Sequence, residues 1–185
     1  MKIFINTDQF KDIALKTRED LIRHVQKSNL EITQDIENAD IIFSIGGDGT
    51  FLKSARLSDE KPIIGINTGT LGYLTEINPD DIKRTLNDIE NGNYSIENRM
   101  MVEGEIIKTT GKIIKIPPAL NEIAISKNTF GVVRFDAIVN GKLINSYTAD
   151  GILICTPTGS TAYNLSCGGP IVDPTAHILT LTQLQ

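Results

Sequence analysis

The stretch IIFSIGGDGTFLKS, residues 41–54, decides how the rest of the chain is read. It opens with a continuous apolar run that ends in glycines, the pattern of a strand buried on both faces of a parallel sheet. The following residues, GTFLKSARL, read as a helix. Gly46, Gly47 and Gly49 let the backbone approach a ligand closely, and a helix starting near Thr50 aims free N–H groups at phosphate. Asp48 is out of character there, because a carboxylate repels the anion that such a turn holds. Two roles reconcile it: Mg²⁺ bridging it to phosphates, or acceptance of a proton from a hydroxyl that attacks the phosphate. A third reading is structural, with Asp48 capping the helix. Neither standard phosphate motif fits, since Leu52 stands where both a P-loop and a dinucleotide fingerprint need glycine.

Upstream, KIFIN reads as a first strand, and residues 9–29 place Phe10, Ile13, Leu21, Ile22 and Val25 near helical spacing. Downstream, KPIIGIN is another short buried strand. NPDDIKRTLNDIENGN is a helix with Asn78 as cap, Pro79 in the first turn and Gly92 as stop. Strand and helix therefore alternate over residues 1–94, as in an open, Rossmann-like α/β domain. The pattern then changes. Thr110-Gly111 and Asn140-Gly141 each separate apolar runs, and the second dipeptide is a strong hairpin signal. Residues 95–185 read as a β-rich, mainly antiparallel domain. A last strand is expected from Ala176, and the chain stops within it, so this domain reads as incomplete.

The net charge of −5 and sequence pI near 5.0 leave no basic surplus or stripe, which argues against nucleic acid as partner. An anionic ligand must then be met locally, by backbone N–H groups, a few basic side chains or a metal. No apolar run has the length of a signal or membrane segment. Cys155 and Cys167 form no C-x-x-C pair, so a reducing, cytoplasmic setting is expected. Cys155, inside GILICT, reads as a small core hydrophobe.

Three further segments carry polar chemistry. TPTGSTAYNLSCGGPIVDP, residues 156–174, follows a strand with hydroxyl donors (Thr158, Ser160, Thr161), then Tyr163 and Asn164. Its T-G-S-T-A core is not the G-x-S-x-G of a serine hydrolase. Asn121-Glu122 sits at the mouth of a strand, as sugar-binding side chains or as an ordinary turn pair. Asp150-Gly151 suits a turn before GILICT.

Together, GGDGT (46–50), NTGTLGYL (67–74), NE (121–122), ADG (149–151) and TPTGSTAYNLSCGGPIV (156–172) resemble the NAD kinase family in order and content. The resemblance implies phosphorylation of the adenosine-ribose 2′-hydroxyl of NAD to give NADP. The donor would be ATP or polyphosphate, with Mg²⁺ or another divalent metal whose ligands the resemblance leaves unknown. It implies Asp48 as proton acceptor. Gly46, Gly47, Gly49, Thr50 and Lys53 would meet the donor's phosphates. Asp48, Gly49, Tyr73, Asn121, Glu122, Thr161, Ala162, Tyr163, Asn164 and Ser166 would contact NAD. Asp150 would reach NAD from a neighbouring subunit of a homodimer or homotetramer. Thr148 departs from the basic residue common in relatives, and the family's chain continues past this one. The expected alternative is therefore an NAD(P)-binding fragment impaired in catalysis, and no membrane partner is expected.

Overall fold

The computed structural model describes every residue except Leu71, Thr129 and Gln185. It divides into two compact units, Met1–Glu97 and Asn98–Gln185. The first runs β1 (Lys2–Thr7), α1 (Asp12–Val25), β2 (Glu31–Thr33), β3 (Ile41–Gly46), α2 (Asp48–Leu57) and β4 (Ile63–Asn67). A 3-10 turn at Pro79–Asp81 then leads into α3 (Ile82–Glu90). The strands form one parallel sheet in the order β2-β1-β3-β4.

That order determines where a ligand can bind. The chain steps outward from β1 to β2 and, in the opposite direction, from β3 to β4. Right-handed crossovers then place α1 and α2 on opposite faces of the sheet. Between β1 and β3 the two loops diverge at the carboxyl ends of the strands, which is where open α/β sheets bind ligands.

All six residues of β3 are buried, as its nearly continuous apolar run requires, including Ser44, whose hydroxyl has no hydrogen-bond partner among the described residues. On one face Ile3, Ile41, Phe43, Ile45 and Ile66 share a core with Ala14, Leu21 and Val25 of α1 and Ile82, Leu86 and Ile89 of α3. On the other, the Asn6 amide donates to Ser54 Oγ of α2 at 2.9 Å.

Helix α1 corrects the periodicity expected from the sequence. It starts only at Asp12, leaving Phe10 96% exposed ahead of it, and Ile13 is 53% exposed. The buried stripe is Ala14, Thr17, Leu21 and Val25. Counting back from Leu21 by helical turns lands on Thr17 and Ala14, small residues that let the helix lie close to the sheet. Thr17 tolerates burial because its hydroxyl donates to the Ile13 carbonyl at 2.8 Å. Asn78 precedes the 3-10 turn as expected but makes no side-chain capping bond, and Gly92, at φ +70°, follows α3. Strand β2, three residues long, was too short for the sequence pattern to reveal.

The second unit holds β5 (Val102–Ile107), β6 (Ile113–Ala119), β7 (Glu122–Ser126), β8 (Val133–Val139), β9 (Lys142–Ala149) and β10 (Gly151–Cys155). A 3-10 turn (Thr158–Thr161), the single-turn α4 (Tyr163–Ser166) and β11 (Thr180–Leu184) follow. Its pairings are antiparallel: β5 with β6, β8 with β9, and β11-β10-β7. Asn140 and Gly141 both have positive φ, 51° and 76°, as a tight primed hairpin turn demands. The last strand begins at Thr180 instead of Ala176, whose N–H is spent on a turn to the Asp173 carbonyl at 3.0 Å.

Replacing Phe43 with alanine is expected to cost about 3–5 kcal/mol of stability. The Phe10→Ala change should stay within about 0.5 kcal/mol. Denaturant melts of the two variants check both.

Candidate functional site

The glycine-rich turn is built by close contact. A Cβ on Gly46 would collide with Thr50 Oγ1, so a side chain there would dislodge the first turn of α2. Gly47 and Gly49 have open space at that position, which leaves their main chain accessible. The turn forms one wall of a cleft of about 460 Å³, and residues 6–11, the end of β1 and the loop that follows it, form the other. This cleft lies at the divergence point between β1 and β3. Lys11 and Lys53 both line it, as do Gly47, Gly49 and Thr50. Thr7, also in its lining, has a buried hydroxyl oxygen without a hydrogen-bond partner.

Asp48 is the first residue of α2, where a carboxylate is favoured by the helix dipole. It is not the cap: Gly47 holds that position, and the Asp48 side chain makes no capping bond. The carboxylate instead leaves its own helix. Oδ2 accepts the Tyr73 N–H at 2.8 Å. Oδ1 accepts the Leu74 N–H at 3.0 Å and, at a longer 3.4 Å, the Thr75 hydroxyl. GGDGT and the NTGTLGYL segment already meet through the β3–β4 pairing and the Thr68 N–H, which donates to the Gly46 carbonyl at 3.1 Å. The Asp48 side chain adds the link to residues 73–75, and Leu71 lies outside the described residues. The Tyr73 ring remains 67% exposed.

The second unit brings two other sequence segments together. The Asn121 carbonyl accepts the Thr156 N–H at 2.8 Å, and the Thr156 hydroxyl donates to the Leu120 carbonyl at 2.5 Å. A Cβ on Gly159 would collide with the Asn121 carbonyl oxygen, so the Asn121 backbone and the TPTGST turn touch directly. Glu122 pairs with Cys155 across β7 and β10. One Glu122 carboxylate oxygen, Oε2, is buried with no hydrogen-bond partner. Burial raises the pKa of this acid, and burial together with its charge pushes the Cys155 thiol up to about 11. Cys155 is thus a neutral core group, while Glu122 keeps one buried acceptor unsatisfied.

Of the residues expected around the adenosine, Thr161 and Ala162 are half-buried, and Tyr163 and Ser166 are exposed. Asn164 differs. It is fully buried, donating to the Pro170 carbonyl at 2.9 Å and the Ser160 carbonyl at 3.3 Å, and accepting from the Thr182 hydroxyl at 2.6 Å. Its amide is committed to tying the 158–166 turns to β11. Asp150 pairs with Lys127 Nζ at 2.7 Å. Sequence reasoning passed over Gly72, Thr75 and Lys11. Gly72 lies within and Thr75 just after the 67–74 segment, while nothing in the sequence points to Lys11, because contacts with distant residues give each its role.

The arrangement defines a class of protein: an open α/β unit with a glycine-rich turn at its strand divergence point, joined to an antiparallel β unit. The family model for the ATP-NAD kinase N-terminal domain matches residues 3–94, and that for the C-terminal domain matches residues 120–184. The chain belongs to the NAD kinase family. It is 43% identical over 155 residues to an NAD kinase of Thermoanaerobacter sp. (strain X514), covering 82% of this chain and 54% of that protein. It thus spans about half the length of the curated relative. An NAD kinase from Archaeoglobus fulgidus, solved in complex with ATP, superposes with a TM-score of 0.74 at 28% identity over 99% of this chain and 71% of that one. Yeast NADH kinase complexed with NADH shares the fold at TM-score 0.90 and 22% identity, covering all of this chain and 65% of that one. Among the described residues no helix is long and apolar enough to cross a membrane.

The raised Glu122 pKa has a consequence for stability. The folded state holds this proton at pH values where the unfolded chain has released it, so the unfolded state binds fewer protons there. Stability contributed at Glu122 therefore falls as pH rises from about 4.3 through its folded pKa. Glu122→Gln should flatten that decline and raise the melting temperature at pH 7 relative to pH 4, measured by thermal melts across pH.

Proposed function

We propose that the chain phosphorylates the 2′-hydroxyl of the adenosine ribose of NAD to give NADP. The observation that carries this reading is the Asp48 carboxylate, held out of its own helix beside a cleft lined by Lys11, Lys53 and an accessible glycine backbone. In this reading the donor's phosphates lie in the cleft, against Gly46, Gly47, Gly49, Thr50 and Lys53. The ribose oxygen attacks the terminal phosphorus, the bond to the leaving phosphate breaks, and Asp48 takes the hydroxyl proton. Such transfer needs chiefly positioning and charge compensation. The lysines offset the repulsion between donor phosphates and the neighbouring acid.

By the family resemblance, NAD is proposed to be met by Tyr73, Asn121, Glu122 and residues 161–166. A half-buried carboxylate such as Glu122 suits a sugar hydroxyl. Asn164 serves this surface by shaping it, since its amide is already saturated. ATP is the proposed donor, being the nucleotide bound in the Archaeoglobus complex, with polyphosphate the alternative. Among the described residues no three His, Cys, Asp or Glu side chains gather into a cage. Mg²⁺ commonly binds through one or two carboxylates plus substrate phosphates, so a divalent ion would enter with the donor and supply charge neutralisation. A cytoplasmic homo-oligomer, with Asp150 facing a neighbour's NAD, completes the proposal.

The test is a coupled dehydrogenase assay for NADP with NAD, ATP and Mg²⁺. Turnover is expected, and Asp48→Asn should lower it by about 10²–10⁴-fold, the range of a positioned general base. Normal turnover in that variant would remove Asp48 as the acceptor. Thermal stabilisation by NAD without product would support the impaired-fragment reading instead.

A further inference from the structure

The turn after β4 approaches Asp48 so closely that it leaves no room for a side chain. A Cβ on Gly72 would collide with Asp48 Oδ1 and stand 2.6 Å from Thr75 Oγ1. Thr75 itself is completely buried. The turn is in its place because β4 also lacks a side chain at Gly65, where a Cβ would meet the Leu74 carbonyl oxygen at 2.8 Å and Thr75 Cα at 2.9 Å. Beyond it, Ile77 donates its N–H to the Gly65 carbonyl at 3.1 Å and accepts the Asn67 N–H at 2.8 Å. Residues 72–77 are thus laid along β4 as a fixed strap, and three of their donors converge on one carboxylate.

The donor arrangement is unequal. A carboxylate offers about four lone-pair sites, two on each oxygen. Oδ1 faces both the Leu74 N–H and the Thr75 hydroxyl, whereas Oδ2 faces only the Tyr73 N–H. We infer that Gly72 and Thr75 are positioning residues for Asp48: they occupy Oδ1 and leave Oδ2 as the proton-accepting atom. Gly72 does this by absence, since any Cβ would push the carboxylate aside. Thr75 does it by filling the second site on Oδ1. Gly65 supports both by letting the strap lie against β4.

This inference deepens the kinase reading, and its tests separate the two. In steady-state assays Thr75→Val should lower kcat by roughly three- to tenfold, below the worth of an ideal bond to a charged group because the contact is 3.4 Å long, with KM for NAD unchanged. Thr75→Ser should restore it. Gly72→Ala should lower kcat further. An unchanged kcat in Thr75→Val, or a loss that appears in KM alone, would overturn the assignment. An independent arm needs no turnover. Amide hydrogen exchange should find Tyr73 and Leu74 protected in the unaltered chain and released in Asp48→Ala, while β3 amides stay protected in both. Free exchange at both amides in the unaltered chain would overturn the clamp. A chain with the two amides protected but no NADP formed would remove the kinase reading and leave the clamp standing.

Discussion

Three hydrogen bonds onto the Asp48 carboxylate hold the first unit's site together. The acid sits where a helix begins, so its charge is favoured by the dipole, yet its oxygens are turned away from that helix. It therefore joins the end of β3 to the strap that follows β4. The glycines around it serve different purposes. Gly46 admits the start of α2, Gly72 admits the carboxylate, and Gly65 admits the strap, while Gly47 and Gly49 leave backbone exposed. Only the last two suit the direct approach of a ligand. A motif that looks uniform in sequence is thus partly a packing device and partly a binding surface.

The sheet order explains why the glycine-rich turn that carries Asp48 borders a cleft. With β1 and β3 as central neighbours and crossovers leaving in opposite directions, their following loops separate and leave a gap. The gap collects Lys53 and Lys11, the latter 3.8 Å from the Asp8 carboxylate that also lines it, in a chain whose net charge is −5. An anion that the protein as a whole would repel would there be met by local cations and backbone dipoles. In the second unit the equivalent economy is backbone contact. Gly159 lies against Asn121, and Thr156 bonds both Asn121 and Leu120, so the NE pair and the hydroxyl-rich turn form one surface.

The parts of the fold governed by local pattern could be read from the sequence. Six consecutive buried positions made β3 plain, and Asn140-Gly141 fixed the β8–β9 hairpin. The α1 stripe was misread at Phe10 and Ile13 because apolar residues drew attention from Ala14 and Thr17, whose small size is what close packing selected. At the site, Asp48 stood out as a charge in the wrong place. Its partners did not, since two are main-chain N–H groups and the third is a threonine some 27 positions away. Asn164 stood out as a polar residue in a recurrent segment, but sequence alone could not tell an amide facing a ligand from one saturated inside the fold. The separation between such alternatives lies in long-range contacts.

The central claim is that this constellation moves a phosphoryl group onto a ribose hydroxyl. Phosphorus NMR of the chain incubated with NAD, ATP and Mg²⁺ tests it most directly. The account predicts a new phosphomonoester resonance whose shift titrates near pH 6, growing as the donor's terminal phosphate signal declines, and absent with Asp48→Asn. Loss of the donor's terminal phosphate to free inorganic phosphate, with no monoester on NAD, would contradict it.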